Sequence, residues 1–236
     1  MDIQNEPAVL GKVVCPGDTV LQLPETGVVR IAGGVLQDGE RLVAVKAGVL
    51  QQAKNGQVLW VQSRQRRYIP SVDDSVIGVV TDKHSENFDV DIGGPFKALL
   101  PVLAFEGATR RNRPNLQVGD LVYARVESAD RDLEPTLTCM GAAGKASGYG
   151  PLKGGYLVAV GTALARDLLA RPPPAVLQAL GQSLQFELAI GLNGRVWVSA
   201  ASALTTIVVA SAIQASEGLS PVQVETMVAA LLKAKR

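Results

Sequence analysis

Short apolar runs separated by glycine occupy the first part of the chain. Runs rich in valine, leucine and isoleucine predict strands at residues 28–31, 41–45, 47–50 and 57–61. Gly33-Gly34, Asp38-Gly39 and Asn55-Gly56 are turn signals between them. Asn55-Gly56 is the strongest of these signals, because both central residues of a type I′ turn need positive φ. The pattern predicts a small all-β module over residues 1–70.

A second group of apolar runs predicts five more strands over residues 71–140. They are expected at residues 76–80, 88–92, 98–105, 121–128 and 135–140. In the second run, apolar positions alternate with Asp89 and Asp91, which is typical of a half-buried strand with a solvated acidic face. Pro101 breaks the third run. Five strands with a long connection after the third are consistent with an OB-fold, a small Greek-key barrel.

Helical spacing appears only after a Gly-, Ala- and Ser-rich linker at residues 141–150. Residues 151–236 then read as strand, helix, helix, strand, strand, helix, helix. Thr162 is expected to cap the first helix. This order predicts an α+β domain that resembles a KH domain, a known RNA-binding module. The fold class is therefore multidomain, with a small N-terminal β-module, a five-stranded OB-fold barrel and a C-terminal KH-like domain.

Composition limits how such a protein binds its partners. The chain has 236 residues, of which 47% are hydrophobic, and a formal net charge of only +1. Any nucleic-acid binding must therefore come from local patches. The polar N-terminus and the lack of a long apolar run predict a soluble intracellular protein without a membrane span. Cys15 and Cys139 are expected to be buried, reduced thiols.

The most distinctive motif is F-E-G-A-T-R-R-N-R-P-N-L-Q-V-G-D at residues 105–120. It places Arg110, Arg111 and Arg113 within four positions. Pro114 and the neighbouring asparagines disfavour a helix, so the arginines are expected on a loop. Guanidinium groups keep their charge at cellular pH and match phosphate oxygens in pairs. The segment is either a phosphate-binding loop or an ordinary solvated basic loop.

Together with G-L-N-G-R-V-W-V at residues 191–198 and the domain order, this motif closely resembles the exosome component three family. These are KH-containing, non-catalytic cap subunits of the eukaryotic RNA exosome. The resemblance extends from about residue 14 to the C-terminus and includes D-S-V-I-G-V-V at residues 74–80 and D-L-E-P at residues 132–135.

The resemblance implies a subunit that sits with other exosome cap subunits on a ring of RNase-PH-like subunits. Its barrel would face the central pore, where single-stranded RNA passes to a separate nuclease for 3′-to-5′ processing and decay. It also implies residence in the nucleus and nucleolus and also in the cytoplasm. Residues 28–50 become a candidate interface with the ring.

Six cations are the candidate RNA contacts: Lys83, His84, Lys97, Arg110, Arg111 and Arg113. Barrels of this type often stack bases on an aromatic–aromatic–histidine platform, of which only Phe88 is present here. Binding is therefore expected to be weak, electrostatic and indifferent to sequence. The alternative is that Phe88 is a core residue.

The G-x-x-G pattern of Gly191, Asn193 and Gly194 stands in the wrong place for a phosphate clamp. Such a clamp joins two helices, so that N–H groups at a helix start meet the nucleic-acid backbone. Here the helix–helix joint is Arg171 followed by three prolines, and G-L-N-G joins two strands. These residues are expected to form a structural hairpin packed on the barrel.

The residues offer little for catalysis. His84 is the only histidine, and its polar surroundings favour a surface turn. The chain has neither a G-x-x-x-x-G-K-[ST] loop nor a C-x-x-C pair, so no enzymatic activity, metal or cofactor is expected. A stand-alone RNA-binding adaptor in ribosome assembly or translation remains the alternative to a cap subunit. A hydrolase that uses His84 is a distant third.

Overall fold

The computed structural model of the chain describes residues 10–23, 28–53, 58–65, 67–130, 132–141, 144–145 and 147–234. The chain divides into two units, Met1–Gln65 and Arg66–Arg236. Within the described residues, every helix is too short or too polar to cross a membrane.

In the described part of the first unit there are seven short strands. They are β1 (Val13–Val14), β2 (Thr19–Gln22), β3 (Arg30–Ile31), β4 (Val35–Asp38), β5 (Arg41–Ala44), β6 (Gly48–Gln52) and β7 (Val58–Gln62). They form one sheet in the order β1-β6-β7-β3 and another in the order β2-β5-β4. Leu42, Leu50 and Leu59 lie at the centre of its core. The predicted Asn55-Gly56 turn lies outside the described residues, although the flanking strands β6 and β7 do pair antiparallel.

A closed barrel begins the second unit. Its strands are β8 (Ser75–Lys83), β9 (Asn87–Asp91), β10 (Ala98–Pro101), β11 (Leu121–Ser128) and β12 (Thr136–Thr138). Strand β12 pairs in parallel with β10 and antiparallel with β11, which closes the order β8-β9-β10-β12-β11 on itself. This five-stranded closure confirms the predicted OB-fold.

Side-chain alternation places the barrel core where the sequence predicts it. In β9 and just after it, Phe88, Val90 and Ile92 are at most 1% exposed. Phe88 therefore belongs to the core and offers no stacking surface for a base. Strand β10 ends at Pro101, which lacks the N–H needed to continue a ladder, so the predicted third strand is shorter than its apolar run.

The end of the Gly-rich segment packs on the barrel. Strand β13 (Gly150–Leu152) pairs antiparallel with β11. The Tyr149 and Ser75 hydroxyls are 2.7 Å apart, and the Tyr149 ring centroid lies 5.0 Å from that of Tyr123. These contacts show that the last residues of this segment extend the barrel sheet.

The rest of the second unit has the predicted βααββαα order. Its elements are β14 (Tyr156–Ala159), α1 (Thr162–Leu168), α2 (Ala175–Ser183), β15 (Glu187–Gly191), β16 (Arg195–Ser199), α3 (Ala203–Ala215) and α4 (Pro221–Ala234). The strands form a sheet in the order β14-β16-β15. The KH-like α+β domain is confirmed. Thr162 is wrong as the cap, because it is the first helical residue and Gly161 occupies the N-cap position.

The two cysteines differ in their surroundings. Cys139 is buried, as predicted, but Cys15 is exposed, so the prediction of two buried thiols is wrong for Cys15. Its apolar neighbours Val13 and Val14 suggested burial, but the chain turns immediately after them. The Cys15 N–H donates to Asp18 Oδ2 at 2.7 Å within this turn.

Candidate nucleic-acid interface

The arginine loop, residues 102–120, connects β10 to β11 at the end of the barrel where β8 turns into β9. At one side of the loop, the Val102 N–H donates to the Glu86 carbonyl at 2.9 Å. At the other side, the Gly119 N–H donates to the Val80 carbonyl at 2.8 Å. Within the loop, the Asn112 N–H donates to Thr109 Oγ1 at 3.0 Å. The loop is thus bonded to the barrel at both ends and folded on itself between them.

The three arginines of this loop are exposed and differ in their contacts. Arg113 Nη1 donates to the Ser85 carbonyl at 2.8 Å, and its Nε donates to the Arg110 carbonyl at 3.2 Å. These bonds use two of the five N–H donors of the guanidinium. In the part of the chain that the structure describes, the side chains of Arg110 and Arg111 have no hydrogen-bond or carboxylate partner. The loop therefore presents guanidinium donors that are available to an anion.

Lys83 and His84 lie beside this loop. Lys83 Nζ donates to Asn115 Oδ1 and to the Leu116 carbonyl, both at 3.3 Å, so it holds the second half of the loop. His84 Nε2 is 3.4 Å from Asp89 Oδ1. Of the predicted RNA contacts, five therefore come together at one end of the barrel.

Lys97 is connected to these five residues through Asp89, the carboxylate that His84 also contacts. It precedes β10, and its Nζ is 3.8 Å from Asp89 Oδ2. The predicted half-buried alternation of β9 is confirmed, with Asp89 and Asp91 on its outer face, but the ion pairs on that face were not predicted. Asp89 pairs with His84 and Lys97, and Asp91 pairs with Arg195 of the KH-like domain.

A cleft of about 310 Å³ opens between the arginine loop and the β8–β9 turn. It is lined by residues 85–87, residues 101–103, Arg110 and Arg113. Sequence reasoning found its two arginines but missed Glu86 and Asn87. Nothing in the sequence signals those two, because they meet the arginines only after the barrel closes.

The hairpin between β15 and β16 lies at the opposite end of β8 from the arginine loop. Its Leu192 N–H donates to the Ser75 carbonyl at 2.8 Å. The Asn193 side chain, 9% exposed, accepts the Ile77 N–H at 3.2 Å and donates to the carbonyls of Ile77 and Ile92 at 2.8 and 2.9 Å. The amide therefore bridges two barrel strands.

Both glycines of G-L-N-G are needed for this packing. A Cβ on Gly191 would lie 2.3 Å from Asn193 Oδ1 and 2.7 Å from the Ile77 nitrogen. Gly194 has a φ of +76°, and a Cβ there would lie 2.5 Å from the Val160 carbonyl. Gly191 therefore lets the hairpin lie against the barrel, and Gly194 lets it close against the end of β14.

Arg195 adds an ion pair that sequence reasoning missed. Its Nη2 lies 2.5 Å from Asp91 Oδ2, and its Nη1 donates to the Asp91 carbonyl at 2.5 Å. Burial alone would raise the pKa of Asp91. The hydrogen bonds from Arg195 and from the Gly93 N–H, with the charge of Arg195, outweigh that effect and hold the pKa below its usual value.

Apolar contacts complete this junction. Ile77, Ala189 and Trp197 form a buried cluster between the barrel and the KH-like sheet. The Trp197 indole N–H donates to the Gly154 carbonyl at 2.8 Å. Barrel and KH-like domain therefore share a core as well as hydrogen bonds.

The remaining perturbed groups have structural roles. Burial raises the pKa of the Cys139 thiol to about 12, which keeps it neutral and unreactive. The Tyr68 hydroxyl donates to Asp74 Oδ2 at 2.7 Å, and burial raises the pKa of that carboxyl. Within the described residues, no three His, Cys, Asp or Glu side chains converge as they would around a metal ion.

Three family models match consecutive parts of the chain. The N-terminal domain of exosome complex exonuclease Rrp40 matches residues 29–67, the S1 domain of exosome complex component RRP40 matches residues 68–150, and a KH domain matches residues 155–204. The fold and these matches define a multidomain protein of the S1–KH class.

Relatives narrow this class to one family. The exosome complex component rrp40 of Schizosaccharomyces pombe is 43% identical over 87% of this chain and 88% of its own length. The human exosome complex component RRP40 is 38% identical over 90% of this chain and 87% of its own. The chain belongs to the RRP40 family of exosome complex components, which confirms the resemblance seen in its motifs.

A solved structure shares the fold at lower identity. It is described as that of a candidate exosome complex RNA-binding protein. It superposes with a TM-score of 0.59 at 22% identity, covering 72% of this chain and 100% of its own.

The Asn193 amide is expected to hold the barrel and the KH-like domain together. Asn193→Ala leaves the Ile77 N–H and the Ile92 carbonyl without this partner. We expect a loss of about 3 kcal/mol in unfolding free energy, since each buried unsatisfied group costs about 1–3 kcal/mol. Urea unfolding followed by circular dichroism measures it. Asn112→Ala, on the exposed loop, is the control and should change stability by about 0.5 kcal/mol or less. If Asn193→Ala loses no more stability than the Asn112→Ala control, the amide does not have this role.

The Asp91–Arg195 pair predicts a pH-dependent contribution to stability. The folded pKa of Asp91 lies below its unfolded value, which is close to about 3.9. The pair therefore stabilises the fold above that value, and the contribution disappears as pH falls through the folded pKa. The Tm difference between wild type and Asp91→Asn should be largest near neutral pH and shrink at acid pH. Asp82→Asn removes one negative charge and leaves the Arg195 pair intact, so it is the charge-matched control. If the Tm difference between wild type and Asp91→Asn does not change with pH, protonation of Asp91 is not coupled to the stability of the fold.

Proposed function

We propose that the protein is a non-catalytic cap subunit of the RNA exosome that stabilises an RNase-PH-like ring and guides single-stranded RNA into the central pore. A separate nuclease then carries out 3′-to-5′ processing or decay. Membership of the RRP40 family supports the exosome assignment. We further propose that it acts in the nucleus and nucleolus and also in the cytoplasm.

The observation that carries the RNA-guiding role is the arginine loop. Strand β8 begins at the hairpin contact and ends beside this loop, so the KH-like domain and the exposed guanidinium groups lie at opposite ends of the barrel. Because Arg110 and Arg111 are not paired with carboxylates among the described residues, passing phosphates meet unneutralised charge. Phe88 is buried, so stacking on it is unavailable and the contact is electrostatic.

The KH-like domain has a supporting role in this proposal. Its G-x-x-G backbone is packed against the barrel through Gly191 and Asn193. The joint between α1 and α2 contains three consecutive prolines, which supply no N–H donors. The domain therefore holds the barrel in place and leaves contact with RNA to the barrel loops.

Removal of the three arginines should weaken RNA binding equally for all sequences. Three phosphate contacts correspond to a salt slope of about −2, from roughly −0.7 per contact with a single strand. In Arg110→Ala/Arg111→Ala/Arg113→Ala, the slope of log K against log salt should become less negative by about that amount. Fluorescence anisotropy with oligouridine and a mixed-sequence RNA measures both effects.

The matched control removes three exposed cations of the KH-like segment, Lys153, Arg171 and Lys233, by alanine substitution. It changes net charge equally and should leave the slope near the wild-type value. Equal slopes for wild type and the arginine-loop variant would show that this loop does not contact RNA.

Association with the ring separates a cap subunit from a stand-alone adaptor. Native mass spectrometry of the tagged full-length chain purified from cells should show a stoichiometric complex with RNase-PH-like proteins. The isolated chain should not shorten RNA, with or without magnesium. Purification without those partners favours the adaptor, and RNA shortening lost on His84→Ala favours the hydrolase.

A further inference from the structure

We infer that Glu86 makes the cleft beside the arginine loop selective for ribonucleotides. In this arrangement, Arg110 and Arg113 meet a phosphate while the Glu86 carboxylate accepts a hydrogen bond from a ribose 2′-hydroxyl. The inference rests on the proposed RNA-guiding function and adds the class of sugar that the site accepts.

The backbone of Glu86 is fixed where the cleft begins. Its carbonyl accepts the Val102 N–H at 2.9 Å, which ties the β8–β9 turn to the start of the arginine loop. The neighbouring Ser85 carbonyl accepts Arg113 Nη1 at 2.8 Å. Glu86 therefore lines the same cleft of about 310 Å³ as Arg110 and Arg113.

The Glu86 side chain has no partner among the residues that the structure describes. Across the described part of the chain, its carboxylate makes no hydrogen bond or ion pair, although two guanidinium groups line the same cleft. A carboxylate only accepts hydrogen bonds, so it needs a donor from the ligand. Two guanidinium groups and one carboxylate give the cleft a charge of about +1. This charge is balanced by the single negative charge of one phosphate.

The 2′-hydroxyl is the ligand donor that suits this site. It lies on the same sugar as the 3′-phosphate, so one nucleotide presents an anion and a donor side by side. DNA lacks this hydroxyl and would bring its phosphate to the carboxylate without compensation. The Glu86 carboxylate thus favours RNA through a hydrogen bond from the 2′-hydroxyl and disfavours DNA through repulsion of its phosphate.

The rest of the cleft is suited to a nucleotide of any sequence. Pro101, Val102 and Leu103 give it an apolar side, and Leu103 is 52% exposed. Such a surface contacts the face of a sugar or base without reading its edges. The volume is at the lower end of that of small-ligand sites, as expected for one nucleotide.

The test compares oligouridine with oligodeoxyuridine, which differ only in the 2′-hydroxyl, on the full-length chain at low salt. Wild type should bind the RNA about tenfold more tightly, the factor expected from one charge-assisted hydrogen bond. Glu86→Ala should reduce this ratio to about threefold or less. Glu86→Gln keeps a carbonyl acceptor and should retain more of the ratio than Glu86→Ala. Glu134→Ala, an equal charge change on the β11–β12 loop, should leave it unchanged.

Each other outcome overturns the inference. If Glu86→Ala strengthens RNA and DNA binding equally, the carboxylate acts only as a charge. If the ratio does not change in Glu86→Ala, or disappears to the same extent in Glu86→Gln, the acceptor role is wrong. In these cases the arginine-loop variant still tests the proposed function separately. Absence of RNA binding by the wild-type chain would overturn the proposed RNA contact itself, and this inference with it.

Discussion

The Asn193 amide completes hydrogen bonds that strands β8 and β9 cannot make with each other. It accepts the Ile77 N–H and donates to the carbonyls of Ile77 and Ile92, two residues with 0% exposure. Water cannot replace these bonds at such a buried place, so the hairpin must stay against the barrel. The Asp91–Arg195 pair and the cluster around Trp197 strengthen the same junction. The KH-like domain thereby contacts one end of the barrel, and the arginine loop is exposed at the other end.

Docking against the barrel gives this KH-like domain a structural role in place of the usual RNA site. The helix–helix joint that carries a phosphate clamp in RNA-binding KH domains is here Arg171 followed by three prolines, which supply no N–H donors. The G-x-x-G of the β15–β16 hairpin serves the docking, because glycine has no Cβ and Gly191 lies against the Ile77 nitrogen of the barrel.

Local patterns made the strands and the arginine loop predictable, whereas long-range pairing did not. Alternation in Phe88, Val90 and Ile92 identified the buried face of β9, and Pro114 identified a loop. Asp91 was read as solvated because its partner, Arg195, is distant in sequence and reaches it only through the docked hairpin. Glu86 was missed because the arginines that line its cleft are also distant in sequence. The assignment of Thr162 as the N-cap of α1 was wrong by one residue. Gly161 holds the N-cap position and makes no side-chain capping bond, and the sequence around it does not distinguish it from Thr162.

Paired and unpaired cations have different consequences for a chain of net charge +1. Arg195 is paired with Asp91, Arg125 with Asp73 and Lys97 with Asp89. Each such pair removes a charge from the field that an approaching polyanion meets. Lys83, Arg110, Arg111 and Arg113 have no carboxylate partner among the described residues, so together they supply the positive field at their end of the barrel.

Site-specific photocrosslinking in the assembled exosome tests most directly whether that end of the barrel meets RNA. A photoreactive benzophenone amino acid is placed at Arg111 in one sample and at Leu133, on the β11–β12 loop at the other end, in a second. We expect crosslinks to RNA from position 111 and none from position 133. Crosslinks from position 133 without any from position 111 would show that RNA meets the other end of the barrel.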